Sequence, residues 1–326
     1  MLALSEKEVR GLLDIEELID VLEQAHLQFS TGRAVMPVGL DVALPQIKGR
    51  LTSMPAYLSE GNSLGMKVVT YFQDNPGQGL PAILATIALY STETGKLLVL
   101  MDGSYITAIR TACASAVATK ALANPETPVL GVLGAGTQAR AHIRALCKVR
   151  KITRVKVYSQ SGKSAELLKK ELESEVGIEI EPVSTAIEVV RVANLLATVT
   201  TAKDPILSAD WLKPGVHINA VGSHRPDIRE IDGATIKRAK LVVDSREAIK
   251  SECGDILLAI REGAIAEDHV TAEIGEVLAG SKPGRVSTEE ITLYKSVGIA
   301  LQDVATAQLV YRKALDHKVG TIVEVN

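Results

Sequence analysis

The spacing of apolar residues changes character twice along the chain. Over residues 1–30, Leu12, Ile15, Leu18, Ile19, Leu22 and Ala25 recur every three or four positions, the period of one helix face, and predict an amphipathic helical segment. From Met36 to Met101 the runs "GLDVAL", "RLTSMPAYL", "LGMKVVTYF" and "LPAILATIALYS" are separated by "NPGQGLP" and "TETGK". That texture predicts antiparallel strands joined at Pro and Gly turns. A helix rich in Ala and Thr is expected from Tyr105 to Leu122, ending at "ANPETP", where Pro125 and Pro128 cannot continue it.

From Val129 onward the short apolar runs "VLGVLG", "RVKVYS", "ANLLATVT", "VHINAVG" and "KLVVDS" alternate with helical stretches such as "TQARAHIRALCKV" and "SAELLKKELESEV". Such alternation predicts a parallel, doubly wound sheet. The segment "TLYKSVGIALQDVATAQLVYRKAL" reads as helix and is expected to return to the first domain. The fold class is therefore α/β: a doubly wound Rossmann domain over residues 125–303, and a second α+β domain made of 1–124 plus 304–326.

Within this frame "VLGVLGAGTQARAHIRAL" acquires meaning, because Gly134, Gly136 and Ala139 form G-x-G-x-x-A directly between a strand and a helix. The first glycine permits the tight turn, the second lets backbone amides approach a pyrophosphate, and Ala139 lets helix and strand pack closely. Thr137 and Gln138 lie on the same turn, where the helix N-terminus meets the phosphate charge. A second-strand acid that would bind a ribose 2′-hydroxyl is missing; Ser159, Gln160, Ser161 and Lys163 stand there instead. This set favours NADPH and leaves NADH open, since Lys163 also reads as an exposed helix-start residue.

Composition narrows the partners. The 326 residues are 46% hydrophobic and include 36 basic and 39 acidic side chains, a net charge of −3 that gives a nucleic acid nothing to hold. No export signal opens the sequence and no apolar run reaches membrane length. The three cysteines show neither CxxC nor metal-ligand spacing, as expected of a cytoplasmic protein without a bound metal. A small-molecule substrate is expected, with no nucleic acid and no membrane.

Three basic residues of the first domain stand out. Lys67 lies inside an apolar strand, Arg110 interrupts a small-residue helix, and Arg50 shares a strand face with Thr52 and Met54. Together they suit an anionic substrate. The plainer alternative makes Lys67 and Arg50 solvent-facing and pairs Arg110 with Asp102. Glu93 and Asp102 are read as structural.

The stretches "MPAYL", "GMKVVTYFQDNPGQGLP", "GVLGAGTQA", "HINAVGSHRPDIREID", "GDILLAI", "IGEVLAG" and "EEITLYKSVGIALQDVATAQLVY" resemble the ornithine cyclodeaminase and mu-crystallin family over essentially the whole chain. The resemblance implies hydride exchange at the α-carbon of an amino acid, through an imine. It implies that Lys67 and Arg110 bind the substrate carboxylate, with Lys67 also moving protons, and that Val297 contacts substrate. Thr198, Thr200, Ala220, Val221, Gly222 and Ser296 are then expected to border the nicotinamide, and the first domain to build a homodimer. Departures matter: His224 in "GSHRPD" replaces the family's Asp, Ala82 a Thr, and Thr52 and Gly39 occupy positions where several members carry an Arg, a role Arg50 can take. His224 reads either as a catalytic proton donor or as a surface histidine. The expectation is an NAD(P)H-dependent reductase of α-keto-acid imines, a cyclic ketimine such as pyrroline-2-carboxylate or the imine of pyruvate, acting as an amino-acid dehydrogenase in reverse. The alternatives are an ornithine cyclodeaminase and a non-catalytic NADPH-dependent binding protein.

Overall fold

A computed structural model describes residues 1–324, so the last two positions of the expected 304–326 tail lie outside the described residues. In chain order the elements are β1 (Leu2–Leu4), α1 (Glu6–Leu12), α2 (Ile15–Ser30), β2 (Ala34–Val35), β3 (Leu40–Leu44), β4 (Gly49–Leu58), β5 (Ser63–Phe72), β6 (Ile83–Tyr90), β7 (Leu97–Asp102) and α3 (Ser104–Leu122). Next come β8 (Val129–Leu133), α4 (Thr137–Val149), β9 (Arg154–Tyr158), α5 (Lys163–Val176), β10 (Glu179–Val183), α6 (Ala186–Val190), β11 (Leu195–Thr198) and β12 (His217–Ala220). The chain finishes with α7 (Gly233–Arg238), β13 (Lys240–Val243), α8 (Arg246–Glu252), α9 (Gly254–Arg261), β14 (Val270–Glu273), α10 (Ile274–Leu278), β15 (Thr292–Lys295), α11 (Ala300–His317) and β16 (Thr321–Ile322). No helix among the described residues is long and apolar enough to cross a membrane.

Two compact units emerge, Met1–Arg110 with the segment from Ile299, and Thr111–Gly298. The sequence placed the divisions at 124/125 and 303/304. The first falls inside α3 because the later turns of that helix already bond within the second unit: Ser115 Oγ meets His142 Nε2 at 3.0 Å and Thr119 Oγ1 accepts from Asn219 Nδ2 at 3.0 Å. The prolines mark where the helix stops, not where its partners change.

In the first unit the strands run β16-β1-β7-β6-β5-β4-β2, with β3 also on β4, antiparallel except that β1 lies parallel to β7. Residues 1–30 are a strand and two helices rather than one helical segment. Ser5 closes a capping box with Glu8, and the Asp14 side chain accepts from the Glu17 amide, so each helix restarts at its own cap. The apolar stripe survives the break, with Leu18, Ile19, Leu22 and Ala25 buried on α2. Helix α11 packs across α2, β4 and β5.

Among the described residues of the second unit, the strands form one parallel sheet ordered β10-β9-β8-β11-β12-β15-β13-β14. The order reverses direction at β8, between β9 and β11, and in such sheets ligands bind at the carboxyl ends beside that switch point. One expectation is corrected here. Residues 292–295 are not helix but β15, a fully buried strand between β12 and β13. The four residues Thr-Leu-Tyr-Lys, only four positions before α11 begins, are too few to carry a period of their own, so pattern could not separate them from the helix.

Candidate active site

The glycine turn after β8 has the backbone that an anion site requires. Gly134 adopts φ 114°, and a Cβ there would sit 2.7 Å from the Val199 carbonyl oxygen. Gly136 is the N-cap of α4, no side chain caps that helix, and space beside its Cα is open for 4 Å. Ala139 is completely buried, as close packing of helix on strand demands. The turn therefore fits a phosphate group at a helix N-terminus. At the end of β9, Ser159 Oγ is buried without a hydrogen-bond partner, while Gln160, Ser161 and Lys163 are exposed. Gly162 turns with φ 63°, and Ser161 Oγ lies 3.1 Å from Ser164 Oγ.

The remaining predicted cofactor residues, Thr198, Thr200, Ala220, Val221, Gly222 and Ser296, all lie at the carboxyl ends of β11, β12 and β15. Two buried carboxylates that the sequence reading missed hold these ends. Glu230 Oε1 accepts from the Thr200 amide at 2.5 Å and Thr200 Oγ1 at 2.6 Å; its Oε2 accepts from Thr198 Oγ1 at 2.9 Å and the Gly222 amide at 2.7 Å. Asp244 Oδ2 accepts from Ser296 Oγ, the Val297 amide and the Gly298 amide at 2.8 to 2.9 Å. Burial pushes both acids above the usual carboxylate range, against the pull of their hydrogen bonds. Lys295, itself buried, pairs with Asp255 at 2.8 Å, and Asp255 Oδ1 accepts from the Glu230 and Ile231 amides.

In the first unit Lys67 and Arg110 meet. Lys67 on β5 faces Met54 and Ile87 on the flanking strands and is 2% exposed, which excludes the solvent-facing alternative. Its Nζ lies 2.8 Å from Asp303 Oδ2, and Arg110 Nε donates to Asp303 Oδ1 at 2.9 Å. Arg110 thus pairs with Asp303 rather than Asp102, whose carboxylate instead accepts from the Ser104 and Tyr105 amides at the start of α3. Arg110 also donates to Gln302 Oε1 at 2.6 Å, so the amide nitrogen of Gln302 must face His26 Nε2, 3.1 Å away. His26 accepts that bond as a neutral ring; burial and the Arg110 charge hold its pKa down to about 4. Five buried groups result, with formal charges of two cations and one carboxylate. Asp303, Gln302 and His26 were missed, the visible signal being only a polar pair set in the apolar run "GIALQDVATA".

Not every candidate joins these groups. Arg50 donates to Asp41 Oδ1 at 2.6 Å across to β3, and Thr52 Oγ1 shares that oxygen. Arg50 does share its strand face with Thr52 and Met54, and Met54 lies opposite Lys67, but Arg50 is held by its own neighbour. His224 is exposed in the loop after β12, beside the Arg225–Asp227 ion pair. Val297 meets Asp244 through its backbone amide.

The model of the ornithine cyclodeaminase/mu-crystallin family matches residues 1–318. The chain belongs to that family. A similar solved structure is that of Thermococcus litoralis Δ1-pyrroline-2-carboxylate reductase in complex with NADH and L-proline: 42% identity, TM-score 0.97, covering 99% of this chain and 100% of that one. An archaeal alanine dehydrogenase dimer with bound NAD follows at 38% identity and TM-score 0.94, with 99% of each chain covered. The ketimine reductase mu-crystallin of Rattus norvegicus is 40% identical over 90% of this chain and 91% of its own. The two solved structures therefore share the fold of this chain over nearly its whole length.

Proposed function

We propose that this protein is an NAD(P)H-dependent reductase that converts imines of α-keto acids to L-amino acids, cyclic ketimines such as pyrroline-2-carboxylate first among them. The observation that carries the reading is the buried Lys67–Asp303–Arg110 group. Asp303 holds an ammonium and a guanidinium side by side, and such a pair of cationic donors suits the carboxylate of an anionic substrate. The glycine turn and the uncapped N-terminus of α4 bind the dinucleotide's pyrophosphate. A bound reduced nicotinamide supplies the hydride. Lys67 and Arg110 orient the substrate by its carboxylate, so that the neighbouring α-carbon is the one reduced. An iminium already carries its proton, and its reduction needs no strong acid at that moment. That requirement agrees with His224 standing where cyclodeaminases carry Asp. The ligands bound to the Thermococcus enzyme, NADH and L-proline, are a cofactor and a product of this chemistry.

NADPH is the preferred reductant in this proposal, with NADH also accepted. Ser159, whose buried Oγ has no partner, receives the ribose 2′-position, and Ser161 and Lys163 provide polar and positive contacts for a 2′-phosphate. A second copy of the chain covers the apolar side chains that the first unit exposes, among them Val35, Leu40, Val42, Ile83 and Leu84. The deciding experiment follows loss of reduced-nicotinamide absorbance with pyrroline-2-carboxylate, piperideine-2-carboxylate, and pyruvate with ammonia or methylamine. Turnover of the cyclic imines is expected. Ammonia release from L-ornithine without net cofactor turnover would replace the reading with cyclodeaminase, and tight NADPH binding with no turnover of any substrate would replace it with a binding protein.

A further inference from the structure

Resting on the reading that the loops after β11 and β12 border a nicotinamide, we propose that Glu230 is a positioning residue for hydride transfer: its carboxylate ties those two loops into the one arrangement that presents the ring for reaction. A carboxylate has about four sites for donors, and here all four are filled from within the chain. Thr200 supplies an amide and a hydroxyl to one oxygen; Thr198 and Gly222 supply a hydroxyl and an amide to the other. Each oxygen therefore spans a specific set of loop atoms, so loop and strand end cannot shift separately.

The surroundings are built around this contact. A Cβ on Gly222 would lie 2.3 Å from Glu230 Cδ and 2.3 Å from the Thr200 carbonyl oxygen, so the loop approaches as closely as glycine permits. Behind the side chain, Asp255 Oδ1 fixes the Glu230 amide at 2.8 Å and the Ile231 amide at 3.0 Å, while Lys295 at the end of β15 pairs with the other Asp255 oxygen. Glu230, Asp255 and Lys295 thereby join the carboxyl ends of β11, β12 and β15. Burying charges at 0–2% exposure is a poor way to gain stability, because desolvation offsets most of the attraction. Apolar side chains would fill the same space; what they would not do is fix four loop donors. Since every donor to Glu230 belongs to the chain, its effect on the reaction passes through loop geometry.

Glu230→Gln separates this role from simple packing. A glutamine keeps the volume but offers an amide nitrogen on one side, which leaves either the Thr200 pair or the Thr198 and Gly222 pair without an acceptor. The purified variant is compared with wild type for kcat and KM with pyrroline-2-carboxylate, for NADPH affinity, and for affinity for 2′-phospho-ADP-ribose, which lacks the nicotinamide. Misplacement of a reacting group on the ångström scale costs roughly 10- to 100-fold in rate, and a fall in kcat of about that size is expected with 2′-phospho-ADP-ribose affinity unchanged. A folded variant with wild-type kcat overturns the proposal, as does an equal loss of affinity for NADPH and for 2′-phospho-ADP-ribose. If Glu230→Gln fails to fold, Thr198→Val removes a single donor: a drop in kcat supports the proposal and an unchanged kcat overturns it. Wild-type protein that binds no dinucleotide overturns the functional reading and this inference with it; wild-type turnover matched by the variants' kcat overturns this inference alone.

Discussion

Asp303 governs two cations at once, and its removal makes a sharp prediction. Asp303→Asn keeps the shape but leaves Lys67 and Arg110 buried without their shared countercharge; breaking such a pair costs about 3–5 kcal/mol. A clear fall in thermal midpoint is expected, together with loss of kcat/KM for the imine substrate, measured on the same preparation. Ser159→Asp addresses the cofactor instead. A carboxylate at the end of β9 would repel a 2′-phosphate and accept from a ribose hydroxyl, so the ratio of kcat/KM for NADPH to that for NADH should fall by at least tenfold, or about 1.4 kcal/mol. An unchanged ratio would remove Ser159 from cofactor selection. Residues of this kind were unequally legible. Lys67 and Arg110 betray themselves as charges in apolar surroundings, whereas their partner Asp303 is distant in sequence and no local pattern pairs them. Arg50 was assigned by strand-face parity, which cannot reveal that Asp41 on the next strand holds it.

At the scale of elements, buried histidines tie helices and strands together as neutral rings. In α4, His142 Nδ1 donates to the Gln138 carbonyl, which leaves Nε2 to accept from Ser115 Oγ on α3. Burial holds His26 and His142 down to about 4, and His217 down to about 3, from an ordinary value of 6.5. Above 6.5 neither folded nor unfolded chain binds these protons. As pH falls below it, the unfolded chain takes them up first, so stability is full above about pH 6.5 and declines toward pH 4. Thermal midpoints from about pH 7 to about pH 5 should therefore fall, and His142→Gln should make that slope shallower; a slope identical to wild type would contradict the assignment. The elements themselves were largely readable, α2 from its sustained period, α3 from its Ala- and Thr-rich composition ahead of Pro125, and β4 and β5 as apolar runs between Pro and Gly turns. Short pieces were not: β15 was absorbed into the helix that follows, and the caps at Ser5 and Asp14 were invisible to an apolar stripe that continues across them.

For the whole molecule, the exposed apolar edge of the first unit makes the oligomer a stability question. Leu40 is 70% exposed on β3, alternating with Asp41, and Val42 follows on the same face. Sedimentation of the purified protein should give a dimer, and Leu40→Asp with Val42→Asp should shift it toward monomer with a lower thermal midpoint; an unaltered dimer would place the interface elsewhere. The division into units was legible in outline from the change of texture near Val129. Its position inside α3 was not, since partner exchange along one helix leaves no break in the sequence.

The return of α11 to the first unit has a bearing on biosynthesis. The ribosome delivers residues 111–298 as one uninterrupted stretch that contains the complete parallel sheet, whereas the first sheet waits for the segment from Ile299 before α11 can cover β4 and β5. Chains fold during synthesis at roughly 5–20 residues per second, unit by unit. The pairing of Lys67 and Arg110 with Asp303 must then be among the latest native contacts to form. A chain that ended before Asp303 would contain every strand of the parallel sheet, while its first sheet would have neither α11 over β4 and β5 nor the carboxylate that Lys67 and Arg110 share.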